Sequence, residues 1–305
     1  MAETARASWW PEGAPVIKNI LVPTSGSPTD EPVFAVAHAL AGPSGAHLHF
    51  CHVRLSLMEA AVRTPHLDFC MGQALPAALA GVRQDEEALA QGALSHFKRF
   101  CSEYGISVCD APGPVQSCTA SWLEERDHPA ARLMMHARHS DLIVLGRPRH
   151  VDYMPKMLLD DLLMGCGRPL VFAPERFKKD SINTVAIGWK ETPEAARALT
   201  AAMPLLEKVN KVVLLHIAEK GSSATPRSLE HLARELKWHA IEAETHVISD
   251  TVHDATFQLS KAAIDLDADL LVVGAFGHAR LRELIFGGVT ESLLEQANLP
   301  VFMLH

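Results

Sequence analysis

No stretch of the 305-residue sequence approaches the roughly 18 consecutive apolar residues of a membrane span, so no spanning helix is expected. The opening MAETARASWWPEG has neither a basic leading segment nor an apolar run behind it. No secretory signal is therefore read, and the expected compartment is the cytoplasm. Blocks of Lys and Arg are also missing. Acidic residues are in excess, 36 Asp and Glu against 28 Lys and Arg, for a net charge of −8. Surfaces that bind nucleic acid or anionic lipid are basic, so neither partner is expected. The six cysteines, at 51, 70, 101, 109, 118 and 166, include no CxxC pair. That excludes a zinc ribbon and predicts reduced, mostly buried thiols. Walker A, GxGxxG, Gly-x-Ser-x-Gly, HExxH and EF-hand patterns are all absent. The carboxylate pairs Glu86-Glu87 and Asp160-Asp161 are adjacent on helical stretches, so their side chains diverge and form no acid–base pair.

What is present is a domain-sized repeat. NILVP at 19–23 resembles TVAIG at 184–188, and LHFCHV at 48–53 resembles VVLLHI at 212–217. DLIVLG at 141–146 resembles DLLVVG at 269–274, and RPLVF at 168–172 resembles LPVFM at 299–303. Four matches in one order point to duplication. The spacing from His52 to Asp141 exceeds that from His216 to Asp269, so the first copy carries an insertion, placed at about 55–104. Its apolar spacing around Val82–Phe100 is helical. From Gly146 to Pro169, by contrast, the first copy is shorter than the second is from Gly274 to Pro300.

Each copy reads as alternating strands and helices. In the second, strands are expected near 184–188, 211–217, 244–248, 270–274 and 301–304. Helices are expected near 193–207, 226–240, 254–266 and 289–297. The strands are short, continuous and apolar, as when both sheet faces are covered. Thr192-Pro193-Glu194 is a helix start, with a hydroxyl cap followed by proline at the first helical position. Alternation of this kind gives a parallel sheet with right-handed crossovers. The fold class is therefore α/β, with two Rossmann-like domains at 16–174 and 182–305. Each would be a five-stranded parallel sheet with helices on both faces. PERFKKDS, at 174–181, is the expected linker.

Ligands of such sheets bind beyond the carboxyl ends of the strands. Gly274 ends a strand there, and the segment GAFGHARLRELIFGGVT follows, before helical spacing resumes at Glu291. Glycine lets a backbone approach a ligand closely, and the free N–H groups of a helix start favour an anion. On the glycines alone, a structural turn and a phosphate cradle both remain open.

The whole assembly resembles the universal stress protein family in tandem form, a fold also described as adenine nucleotide alpha hydrolase-like. The family pattern is a strand ending in Gly-x2-Gly-x9-Gly-Ser/Thr, then a helix. Here Gly274, Gly277 and Gly287 take the three glycine positions, with nine residues, His278 to Phe286, between the last two. The resemblance implies that Gly274, Gly277, Gly287, Gly288, Val289 and Thr290 line the phosphate part of an ATP site, with Mg accompanying the nucleotide. It also implies that Ile217 lies near the base. Two positions depart from the pattern. Gly288 stands where the family has Ser or Thr, which removes a hydroxyl worth roughly 1.5–3 kcal/mol against a charged group. Lys190, after Trp189, stands where nucleotide-binding relatives carry Asp.

In the first copy Ser25 takes that Asp position, and Lys156-Met157 replaces the glycine pair, so its site is read as degenerate. His52 and His216 recur at one strand end and are expected to be hydrogen-bonded fold residues. His47, His49 and Cys51 share a strand face, which is ligand-type chemistry for zinc without a fourth ligand. The resemblance implies a stress-response module that binds an adenine nucleotide and signals to a protein partner. A scaffold or chaperone-like protein without nucleotide is the alternative, and a slow ATPase the third reading. No catalytic residue and no metal ligand is assigned. The last strands of the two copies are expected to pair within the chain, with homodimerisation left open.

Overall fold

A computed structural model describes residues 17–54, 74–111, 117–126, 129–147, 156–218, 227–249, 255–275 and 297–305. The first half contains β1 (Asn19–Pro23), α1 (Asp30–Ala41), β2 (His47–Arg54), α2 (Ala74–Glu103), β3 (Ser107–Val108), β4 (Thr119–Arg126), α3 (Pro129–His139), β5 (Leu142–Leu145), α4 (Lys156–Gly165) and β6 (Leu170–Phe172). The second contains β7 (Thr184–Gly188), α5 (Pro193–Leu206), β8 (Lys211–Ile217), α6 (Arg227–Leu236), β9 (Ala243–Ile248), α7 (Ala255–Asp265), β10 (Leu270–Gly274) and β11 (Val301–Leu304). The second-half strands match the expected spans to within one residue. The helix expected at 289–297 falls almost wholly outside the described residues.

The strands form one sheet of 11, ordered β3-β4-β2-β1-β5-β6-β11-β10-β7-β8-β9. Apart from β3, each half therefore has the same doubly wound order, with β1 between β2 and β5 in the first and β7 between β8 and β10 in the second. The short edge strand β3, which pairs with β4 through Ser107 and Val108, is an addition that the sequence pattern did not predict. All pairs are parallel except β6 with β11, where Val301 faces Phe172, Phe302 faces Val171 and Met303 faces Leu170. The expected pairing of the two last strands is thus present, and it protects an edge of each half. All six of these side chains are at most 1% exposed.

Helices cover both faces. α1, α2, α5 and α6 pack on one side, through residues such as Phe34, Phe97, Ala198 and Leu229. α3, α4 and α7 pack on the other, through Leu133, Leu159 and Ala263. Helical spacing explains the burial: Leu229, Leu232 and Leu236 of α6 recur at three- and four-residue steps. α5 starts as its sequence predicts, with the Thr192 hydroxyl accepting from the Ala195 N–H at 3.3 Å. No helix among the described residues is long and apolar enough to cross a membrane.

The repeat extends to single hydrogen bonds. Asp141 accepts from the Lys18 and Asn19 N–H groups at 2.9 and 3.0 Å. Asp269 accepts from Asn183 and Thr184 at 2.7 and 2.9 Å. The same carboxylate closes the start of the first strand in both halves, which accounts for the Asp in both DLIVLG and DLLVVG.

Candidate functional site

In the second half the chain switches direction at β7, which lies between β8 and β10. That crevice is where an α/β sheet of this order takes a ligand. The structure brings Trp189 and Lys190 after β7, Ile217 at the end of β8 and Gly274 at the end of β10 to this one edge. Trp189 and Ile217 are half-buried and Lys190 is exposed. The Trp189 backbone is pinned twice: its N–H donates to the Leu215 carbonyl at 2.8 Å, and its carbonyl accepts from His216 Nδ1 at 3.1 Å. The indole Nε1 is buried, with no acceptor among the described residues.

Gly274 has a packing role as well as a place in the crevice. A Cβ there would lie 2.4 Å from the Ala195 nitrogen and 2.6 Å from the Glu194 carbonyl carbon. The space freed by the missing side chain is filled by the first turn of α5. That turn also carries a carboxylate. Glu194 is held below the usual carboxylate range by its own backbone N–H, then by the Thr192 hydroxyl, Arg197 and His305. The N-terminus of α5 is thereby already supplied with an anion. Among the described residues of this edge, Lys190 supplies an exposed cation. Gly277, Gly287, Gly288, Val289 and Thr290 lie outside the described residues.

The equivalent edge of the first half is built differently. His52 repeats the His216 device, with Nδ1 hydrogen-bonded to the Thr24 carbonyl at 2.9 Å. Both histidines therefore fix a loop. Ser25, read from the sequence as a departure from the family pattern, is engaged by Asp30. That buried carboxylate accepts from the Ser25 N–H at 2.9 Å, the Ser25 hydroxyl at 2.7 Å and the Gly26 N–H at 2.8 Å. Over this loop runs α2, the helix of the insertion. Gly26 has φ +86°, and a Cβ on it would stand 2.0 Å from the Leu89 carbonyl oxygen. The insertion thus packs directly on the strand-end loop of its own half. Helical spacing signalled α2. The role of Asp30 was not read from sequence, although a Ser/Thr-rich loop ending in Asp at a helix start was the available signal.

His47 and His49 are spent on hydroxyls. His47 meets Thr119 and Ser121, each at 2.9 Å, and His49 meets Ser121 at 2.8 Å. Burial pushes the Cys51 thiol up to about 12, with the Glu125 charge adding to it. Among the described residues, no group of three or more His, Cys, Asp or Glu could hold a metal ion. Cys51, Cys101, Cys109, Cys118 and Cys166 are free thiols.

Residues 182–305 match the family model described as the universal stress protein family. Universal stress protein MJ0577 of Methanocaldococcus jannaschii is 25% identical over 144 residues, which cover 38% of this chain and 88% of that protein. The fold is similar to the crystal structure of a universal stress protein from Archaeoglobus fulgidus DSM 4304, with a TM-score of 0.64 and 16% identity over 94% of this chain and 95% of that one. It is also similar to a functionally unknown protein, PA1789, from Pseudomonas aeruginosa PAO1. The TM-score there is 0.50, at 15% identity, over 94% of this chain and 92% of that one. The match to the universal stress protein family thus lies in residues 182–305, and along nearly its whole length the chain is similar in fold to a solved universal stress protein.

Proposed function

We propose that this stress-response protein is a two-domain regulatory module, with domains at 16–174 and 182–305, whose second domain holds ATP or another adenine nucleotide. The observation that carries this reading is the convergence of Trp189, Lys190, Ile217 and Gly274 at the switch-point edge, from which the Gly-x2-Gly-x9-Gly segment departs. The chemistry of the described part fits such a ligand. A half-buried indole and an aliphatic side chain suit a purine, and an exposed ammonium suits phosphate. The Glu194 carboxylate opposes an unaccompanied polyphosphate, so Mg²⁺ entering with ATP would offset that repulsion. When bound, the nucleotide supplies a charged surface feature that a protein partner reads.

The role is binding rather than turnover. Glu194 is ion-paired with Arg197 at 3.0 Å, with its pKa lowered, which suits a fixed anion and not a proton-accepting base. The test is calorimetric titration of the full chain with Mg-ATP, beside Gly277→Val. One site per chain, weakened at least tenfold by the valine, is the expected result. Equal binding by the parent and Gly277→Val refutes the site.

A further inference from the structure

The first half contains a cavity of about 240 Å³ between the first turn of α1, the end of β5 and the segment after β6. β6 and β11 are antiparallel, so this cavity lies at the opposite end of the sheet from the crevice of the second half. Its walls include the apolar side chains of Pro32, Val33, Ala173 and Pro174, and two charged residues, Arg147 and Glu175. Arg147 directly follows Gly146, where the phosphate segment of the second half has its small Ala275.

Arg147 is only 5% exposed. A guanidinium carries five N–H donors and keeps its charge. Among the described residues, its one hydrogen bond runs from Nη2 to the Leu299 carbonyl at 3.0 Å, and Nε is buried with no acceptor. Burial lowers its pKa to about 10, partly countered by the charge of Glu175. A buried cation with so few acceptors is unfavourable until an anion completes its shell.

We infer that this cavity binds a small organic monocarboxylate, its carboxylate paired with Arg147 and its apolar body held against Pro32, Val33, Ala173 and Pro174. Two features select this class over phosphate. One guanidinium beside the negative Glu175 favours a monoanion over a dianion, and the proline- and alanine-rich wall rewards carbon. The volume is below the roughly 300–1,000 Å³ of sites for drug-sized ligands, which suits a small acid and not a nucleotide.

The test uses the full chain, with benzoate, butyrate and inorganic phosphate as separate probes, by ligand-observed NMR and calorimetry. Saturable binding of a carboxylate with a Kd of about 1 mM or tighter is expected, with phosphate weaker. Arg147→Met, which keeps bulk and removes charge, is expected to weaken the carboxylate by at least about tenfold. Pro28→Trp provides an independent block: Pro28 is exposed, lines the cavity and takes no part in the guanidinium hydrogen bond to Leu299. It is expected to abolish binding while circular dichroism and melting temperature stay at parent values, and it decides the matter if Arg147→Met does not fold. The inference is overturned if neither carboxylate binds the parent, if phosphate binds in preference, or if binding survives both substitutions.

Discussion

Gly274→Ala is expected to destabilise the second half with no ligand present. The added Cβ would stand 2.4 Å from the Ala195 nitrogen, 2.6 Å from the Glu194 carbonyl carbon and 2.8 Å from the Ala195 Cα. Ordinary contact begins at 3.4 Å, so the first turn of α5 must retreat by about 1 Å in a close-packed interior. All three obstructing atoms are backbone, and no rotamer change relieves them. The turn is also tied down by the Thr192 cap and by buried Ala195 and Ala198. Overpacking of this kind costs about 1–3 kcal/mol, and the upper end is expected here. Urea denaturation followed by circular dichroism is the assay, and the midpoint should fall with little change in slope. Unfolding within about 0.5 kcal/mol of the parent, the range of neutral surface substitutions, refutes the packing role. Gly277→Val is expected to lose nucleotide in the titration described above.

Other outcomes follow from the same kinds of contact. Asp269→Ala strands the Asn183 and Thr184 N–H groups and is expected to cost about 2–4 kcal/mol, whereas Asp269→Asn keeps an acceptor and should cost less than half of that in the same denaturation assay. Gly26→Ala puts a methyl group against the Leu89 carbonyl oxygen at φ +86°, so it should loosen α2 and speed proteolysis of residues 74–103. The His49 pKa is lowered by burial, then by His136 and His47, so the folded chain binds that proton more weakly than the unfolded chain does. Its contribution is present above the ordinary 6.5 and lost as pH falls below it, and a pH series on His49→Gln should show a flatter acid limb. The Cys51 thiol, raised to about 12, should resist thiol reagents at about pH 8 until the chain unfolds. Its contribution to stability declines as pH rises from the ordinary 9 toward that value.

Strands buried on both faces announce themselves as unbroken apolar runs, which is why LLVVG at 270–274 was legible with its ends. The Thr192-Pro193 start of α5 was legible because its chemistry is local. The pairing of β6 with β11 was implied by the resemblance to a tandem family, in which the last strand of one unit pairs with that of another. Strand β3 was not legible, because two exposed residues carry no periodic signal. Nor was the fit of Gly274 against Ala195, which depends on how close a helix and a strand far apart in sequence approach each other. The burial of Arg147 carries no local sequence signal, and only the fold places it beside Leu299 and Glu175. Lys190 and Ser25 were legible as departures from the family pattern. That Asp30 holds the Ser25 loop required the structure.

The most direct measurement is the identity and amount of small molecule released when the purified full chain is denatured and analysed by mass spectrometry. The nucleotide reading predicts an adenine nucleotide approaching one per chain, recovered from the parent and absent from Gly277→Val. Release of none, followed by no heat and no thermal shift on addition of millimolar Mg-ATP, contradicts it and leaves the glycine segment a structural inheritance.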